Sequence, residues 1–544
     1  MRRHWRRSIQ IDTTIPLSFS VGVGGRRPDE ATVTEHLAFL VMHHKWQLSW
    51  FISIIALLFF SSCASSNQTY NPSKKYSPVE LQQDLNVAWK TWQKNHPSLY
   101  WYNPKDTVDK AFSELEESLT DSLTELQFRN KLAIAAEKIQ CGHTSVRLSE
   151  AFGKFSAKQK NELSFPLIMK TWGGDSLVVT GNAFRRDSQL IRGTVIKSIN
   201  GKPVHEIISQ MAQLISGDGF NNNFKYQVIS NSFPTYYRYA FGLSKQYTFE
   251  YIASDGSIQT KLLPSYDPRA DTLDKRRITV QKPVQKPSKK ELRNFRLLNN
   301  RSLSIDTANH LAYMLLNTFS KNKLTKFFRQ SFKTLKDQNI PNLVIELREN
   351  GGGSISKSTK LARYIAIKPF KIADTAMAVS FNYPYPKYVK NGFWYKVEHW
   401  LVSPFRRKDG NYHFHQLEKR TYNPFVKNHY DGQVYIITGG YTFSASTLFI
   451  NPLKGQKNVT VIGEETGGGA YGNTAINIPD IVLPNTGLRV RLPLYRLVAN
   501  KNLPHDGRGI QPDIYVPANS IFLKRNLDPK MEKVKQLIQE KKGA

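Results

Sequence analysis

The sequence predicts an α/β protein in three blocks: helical first, β-rich second, and a longer stretch of alternating strands and helices third. Three observations carry this. From Ser77 to Ile139 apolar residues recur at helical spacing. From Phe165 to Pro264 short apolar runs are bounded by Gly, Asn and Pro. From Ser304 to Val516 strand-like runs alternate with amphipathic stretches, the pattern of a layered α/β domain.

In the first block Ser77-Pro78-Val79-Glu80 has capping-box spacing with proline at the first helical position. Leu81, Leu85, Ala88, Trp89 and Trp92 then form one stripe, and His96-Pro97 stops the helix. Two further stripes follow, Val108 to Leu119 and Phe128 to Ile139, the second behind a Thr124–Gln127 capping box. In the second block Leu177-Val178-Val179, Val195-Ile196 and Thr248 to Tyr251 read as strands. Gly193 to Val204 reads as a strand, a tight Asn200-Gly201 turn and the start of a helix from about Glu206 to Leu214. In the third, strands are expected at Leu311 to Leu315, Leu343 to Leu347 and Val434 to Ile437. Helices are expected at Leu324 to Lys336 and about Ile355 to Ile365, and a segment at 368–428 rich in Pro, Tyr and Lys reads as an insertion.

Before these blocks, Trp50 to Phe60 is an apolar run too short to span a bilayer as a helix. It follows His43, His44 and Lys45 and leads into Ser61-Ser62-Cys63, which reads as an export leader over 42–62. The Cys63 context resembles the lipobox of bacterial lipoproteins, with Phe60 where Leu is usual. That resemblance implies a lipidated Cys63, a tether over 63–76 and a place in the cell envelope; a short membrane-anchoring helix with an incidental cysteine is the alternative. Residues 1–41 show no period and precede a self-sufficient leader, so the expected start is Met42.

The formal net charge is +33. Export argues against a nucleic-acid partner, leaving a solvated, partly disordered basic linker over 266–303 ahead of attraction to an anionic envelope surface or to acidic substrates. With Cys63 lipidated, Cys141 would have no disulfide partner. No HExxH and no paired Cys/His spacing occurs, so neither metal nor cofactor is expected.

Ser444 follows the apolar strand Val434 to Ile437 and precedes a helix. A hydroxyl there sits beside unpaired N–H groups and the positive end of the helix dipole, which suits either a nucleophile or a simple N-cap. Asn350-Gly351-Gly352-Gly353 is a turn where backbone can approach a ligand closely, or a turn with no ligand; no Gly-Lys-Ser/Thr follows to make it a phosphate loop. His143, in Cys141-Gly142-His143-Thr144, is either a base or a core histidine. Cys141 and His143, two apart, would point side by side rather than at one another, so a buried structural thiol is expected rather than a cysteine–histidine pair.

Four segments in order, Cys141 to Thr144, Glu346 to Gly353, Thr442 to Ser446 with Gly463 to Gly469, and Asp506 to Asp513, resemble the tail-specific or C-terminal-processing serine peptidases. The resemblance covers about Pro78 to Val516. It implies a ClpP/crotonase-like layered core (304–518) with an N-terminal helical domain (77–150), a PDZ-like domain (160–265) and a C-terminal helix or tail (519–544). It also implies hydrolysis of unstructured peptides or protein tails. By the same resemblance Ser444 is the nucleophile, with oxyanion donors from Gly351 or Gly352 and from Ala445. Where members with a serine–lysine dyad carry lysine, this chain has Gly469. The pattern is closer to the branch of tricorn protease and the interphotoreceptor retinoid-binding protein, which implies His143 as base with Asp506 or Glu465 in support. Because that branch includes a retinoid carrier, an inactive peptide- or lipid-binding lipoprotein is the alternative.

Overall fold

The computed structural model describes residues 70–159, 162–270, 287–320, 322–402 and 406–543. The expected leader, Cys63 and the centre of the basic linker lie outside these residues. The helical block forms as its stripes dictate. Helices Pro78–Asn95, Lys105–Glu117 and Glu125–Glu137 pack through Trp92, Phe112, Phe128 and Leu132, and both capping boxes close. The helix Pro78–Asn95 is also tied to distant chain: buried Asp84 accepts from the Thr486 N–H and hydroxyl, and Trp92 Nε1 donates to the Arg491 carbonyl.

The β-rich block holds a five-strand antiparallel ladder in the order Leu167–Trp172, Ser176–Asn182, Val195–Ile199, Gln246–Ile252, Ile258–Pro264. Asn200 and Gly201 both adopt positive φ, which closes the expected tight turn. The following helix, Val204–Ala212, starts two residues earlier than the sequence suggests because it buries Val204 as well as Ile207, Ile208 and Met211.

The third block is built on a six-strand sheet ordered Arg301–Asp306, Leu311–Leu316, Asn342–Glu346, Gln433–Thr438, Val459–Gly463, Ile514–Tyr515. Its first pair is antiparallel and the rest are parallel. The central strands are apolar on both faces because helices cover both. Leu324–Asp337 covers one face through Phe328, Phe332 and Leu335; the C-terminal helix Pro529–Gly543 covers the other with Val534 and Ile538.

The segment 368–428 is more than a surface insertion. Its strand Thr375–Ala378 pairs with Tyr495–Val498, which pairs with Gly472–Ala475, inside a second sheet of five strands. A third, small sheet joins Asp480–Val482, Arg489–Arg491 and Val146–Arg147. It brings the end of the helical block, immediately after His143, against the α/β core.

Candidate active site

The strand Gln433–Thr438 delivers the chain to a turn at 439–443, and the helix Ala445–Ile450 leaves it. Ser444 sits at the apex with φ 56° and ψ −120°. A β-carbon in this region of backbone space costs about 1–3 kcal/mol and persists only where neighbours enforce it. Here they do. Thr442 Oγ1 donates to the Leu347 carbonyl at 2.8 Å and accepts from Gly439 N–H. Phe443 N–H and Ser446 Oγ both donate to the Asn350 carbonyl, at 3.1 and 2.9 Å.

Ser444 occupies the N-cap position, yet its hydroxyl makes no capping bond. It meets His143 Nε2 at 3.1 Å instead. The simple capping role is therefore not what this serine does, and a hydroxyl at this distance from an imidazole nitrogen can pass its proton to it.

The glycine turn approaches from the neighbouring strand. Gly352 has φ 97°, and a β-carbon on it would stand 2.7 Å from Ser444 Cβ and 2.9 Å from Ala445 N. Only glycine allows that approach. Of the two amides expected there, Gly352 N–H already donates to Asn350 Oδ1 at 3.0 Å. Gly351 N–H has no acceptor among the described residues, and Ala445 N–H, opening its helix, has no helical carbonyl behind it. Asn350 is the hub the sequence reading missed. Fully buried, it ties the glycine turn, the Ser444 loop and the Leu316 carbonyl together.

His143 is buried, and its pKa is pushed down to about 3 by burial, with nearby Arg491 adding to the effect. The ring is therefore neutral at ordinary pH. With the proton on Nδ1, Nε2 is free to accept from Ser444, and Nδ1 meets no partner among the described residues. The structure does not bring the two expected acids to that nitrogen. Glu465 Oε1 accepts from Gly509 N–H at 2.7 Å, and Oε2 from Arg508 Nη2 at 2.6 Å. Asp506 is exposed and accepts from Arg508 N–H across its own turn.

A different carboxylate holds the histidine loop. Asp218, in the loop after the helix Val204–Ala212, is 2% exposed. Its Oδ1 accepts from Gly142 N–H at 2.8 Å and its Oδ2 from Gly469 N–H at 3.5 Å. Burial raises its pKa to about 7, against those two hydrogen bonds. Beside it Gly219 N–H donates to the Gln140 carbonyl at 2.9 Å. The loop of the β-rich block is thus wedged between the His143 loop and the turn containing Gly469. A side chain at 469 would begin 2.5 Å from the Gly472 carbonyl oxygen, so this position has no room for a lysine as it stands. Cys141 is buried and free, its thiol pushed up to about 12 by burial, which makes it a poor thiolate.

Residues 310–516 match the model of peptidase family S41. Among solved structures, mature CPAF aligns with 85% of this chain and 98% of its own at 13% identity, with a TM-score of 0.58. CPAF complexed with lactacystin gives 0.57 at 13% identity over 85% and 98% of the two chains. An alanine-for-serine mutant of CPAF gives 0.59 at 12% identity over 85% and 97%. Identities this low show a shared fold. No curated protein sequence matches the chain.

Proposed function

This chain is a serine peptidase carrying a family S41 domain, and on that premise we propose that it is an endopeptidase of unstructured peptides or protein C-terminal tails in the bacterial cell envelope. The observation that carries the reading is the 3.1 Å contact between Ser444 Oγ and His143 Nε2, made by a serine that leaves its own helix uncapped.

Ser444 attacks the scissile carbonyl while His143 Nε2 takes its proton. The tetrahedral oxyanion is met by the amides of Gly351 and Ala445, which have no acceptor among the described residues. His143 then returns the proton to the leaving amine, and water releases the acyl group by the same route in reverse. The imidazolium formed midway is disfavoured by burial and by Arg491, and a carboxylate reaching Nδ1 would favour it. Of the two expected acids Asp506 is the freer to move, exposed on a turn and held by one backbone amide, while Glu465 is buried and held on Arg508 and Gly509. Lipidation of Cys63 would anchor the enzyme to the envelope.

Covalent labelling with a fluorophosphonate tests this. The full-length protein is expected to take the label on Ser444, with Ser444→Ala unlabelled and peptide cleavage reduced to background. Folded wild-type protein that takes no label from mildly acidic to alkaline pH would sink the enzyme reading in favour of a binding lipoprotein.

A further inference from the structure

The helix Gly392–Val402 carries an uncovered aromatic face. At 3.6 residues per turn Phe393, Trp394, Val397 and Trp400 fall within an arc of about 120°. Phe393, Trp394 and Trp400 are 71%, 67% and 76% exposed, among the most exposed large apolar side chains in the described residues. Tryptophans displayed in this way are unfavourable in water and suit a lipid–water boundary, where ring and N–H find different surroundings. From Pro386 to Gly410 six lysines and arginines (Lys387, Lys390, Lys396, Arg406, Arg407, Lys408) stand against two acids, Glu398 and Asp409, with Lys390 also paired to Glu150. The apolar face and the net positive charge of the sequence around it together match an anionic bilayer surface.

The position of the helix in the fold points the same way. The helix Glu150–Lys158 joins it to the start of the described chain. At its beginning Glu150 pairs with Lys390, just ahead of the aromatic helix. Further along, Phe152 and Phe155 pack against Tyr70, at 5.9 and 5.3 Å between ring centres. Tyr70 stands seven residues after Cys63, a span of at most about 25 Å fully extended. A lipidated Cys63 would therefore keep Tyr70 within about 25 Å of the membrane. The base of the aromatic helix is fixed to the small sheet that carries the chain away from His143: Val389 bridges Ile481, and Lys390 N–H donates to the Asp480 carbonyl at 2.8 Å.

We propose that the helix Gly392–Val402 lies in the headgroup region of an anionic lipid bilayer and orients the peptidase on it. The inference rests on the envelope location proposed above and is independent of whether Ser444 is active. Docked in this way, the small sheet behind His143 is held at the lipid surface, so tails emerging from membrane proteins become the favoured substrates.

The test is amide hydrogen exchange of the full-length chain with vesicles of phosphatidylcholine alone or mixed with phosphatidylglycerol. Exchange over Gly392–Val402 is expected to slow about tenfold or more on the anionic vesicles, to recover in high salt, and to stay unchanged on neutral ones. Joint replacement Phe393→Ser, Trp394→Ser and Trp400→Ser is expected to remove the slowing while leaving the fluorophosphonate label on Ser444, which shows that the variant is folded. Protein that floats with anionic vesicles while this helix exchanges unchanged would overturn the proposal. So would equal slowing on neutral vesicles, or slowing without lipid that rises with protein concentration, the mark of a second copy of the chain as occupant. Slowing on anionic vesicles without a label on Ser444 would retain the docking and reject the peptidase mechanism.

Discussion

The two halves of the Ser444–His143 pair are held in different ways. Ser444 sits on core backbone: its loop is pinned by Leu347, Asn350 and Gly352, all within or next to the parallel sheet. His143 sits at the edge of the helical block, on a loop held by Asp218 of the β-rich block and by the small sheet after it. The proposed nucleophile is therefore fixed by the parallel sheet beneath it, and the proposed base by segments from elsewhere. Damage to the first should register as lost chemistry in a stable protein, and damage to the second as a misplaced ring.

The largest effect expected in testing that contrast is from His143→Ala, a fall in the acylation rate of about 10² to 10⁴ with folding intact, read by single-turnover peptide cleavage. Gly352→Ala attacks the other half. Its β-carbon would enter the space between Ser444 Cβ and the Phe443 carbonyl oxygen, and the displaced oxyanion site is expected to lower kcat by about 10² to 10³ with KM little changed. A Gly352→Ala enzyme with wild-type kcat would mean that the oxyanion is held elsewhere.

Asp218→Asn tests the remote support. It keeps an acceptor for one glycine amide and sets a donor against the other, and a displacement of His143 should cost about tenfold to a hundredfold in rate. Stability supplies an independent readout. Asp218, raised to about 7 by burial, binds its proton more tightly folded than unfolded. It therefore lowers stability as pH rises from the usual carboxyl range toward 7, and Asp218→Asn should flatten that part of a thermal-midpoint profile. His143 and His96, both pushed down to about 3 by burial, act with the opposite sign. Their contribution is present above about pH 6.5 and is lost as pH falls toward 3. The smallest effect belongs to Lys454→Ala. Its ammonium pairs with Asp513 at 2.5 Å on a half-exposed surface, so less than about a twofold change in rate is expected. A larger loss would put a lysine back in the mechanism.

The same contrast explains what the sequence could disclose. Strand, turn, serine and helix are contiguous, so the Ser444 elbow is visible locally, as are the capping boxes and the Asn200-Gly201 turn. Pairing His143 with it came only from the order of motifs, since the two are 301 residues apart. Asp218 was missed because nothing near it marks a function; its role exists only once Gly142, 76 residues away, packs against it. Asn350 was in view as part of a glycine-rich turn, but its side-chain bonds depend on tertiary approach. The second sheet was hidden for another reason. Gly472–Ala475 has sequence GNTA and Thr375–Ala378 has TAMA, four-residue strands too short and too poor in β-branched and aromatic residues to show a period.

The backbone of Ser444 carries one more implication. A turn that forces a β-carbon to φ 56° is a standing debt of about 1–3 kcal/mol in a protein whose whole margin is on the order of 10. Glycine at 444 would relieve it, so the catalytically dead Ser444→Gly protein should melt later than the wild type. A lineage released from catalysis would have an easy route to a sturdier molecule through this one codon. That the chain keeps a serine in so uncomfortable a posture is what a working nucleophile would require and an idle scaffold would not.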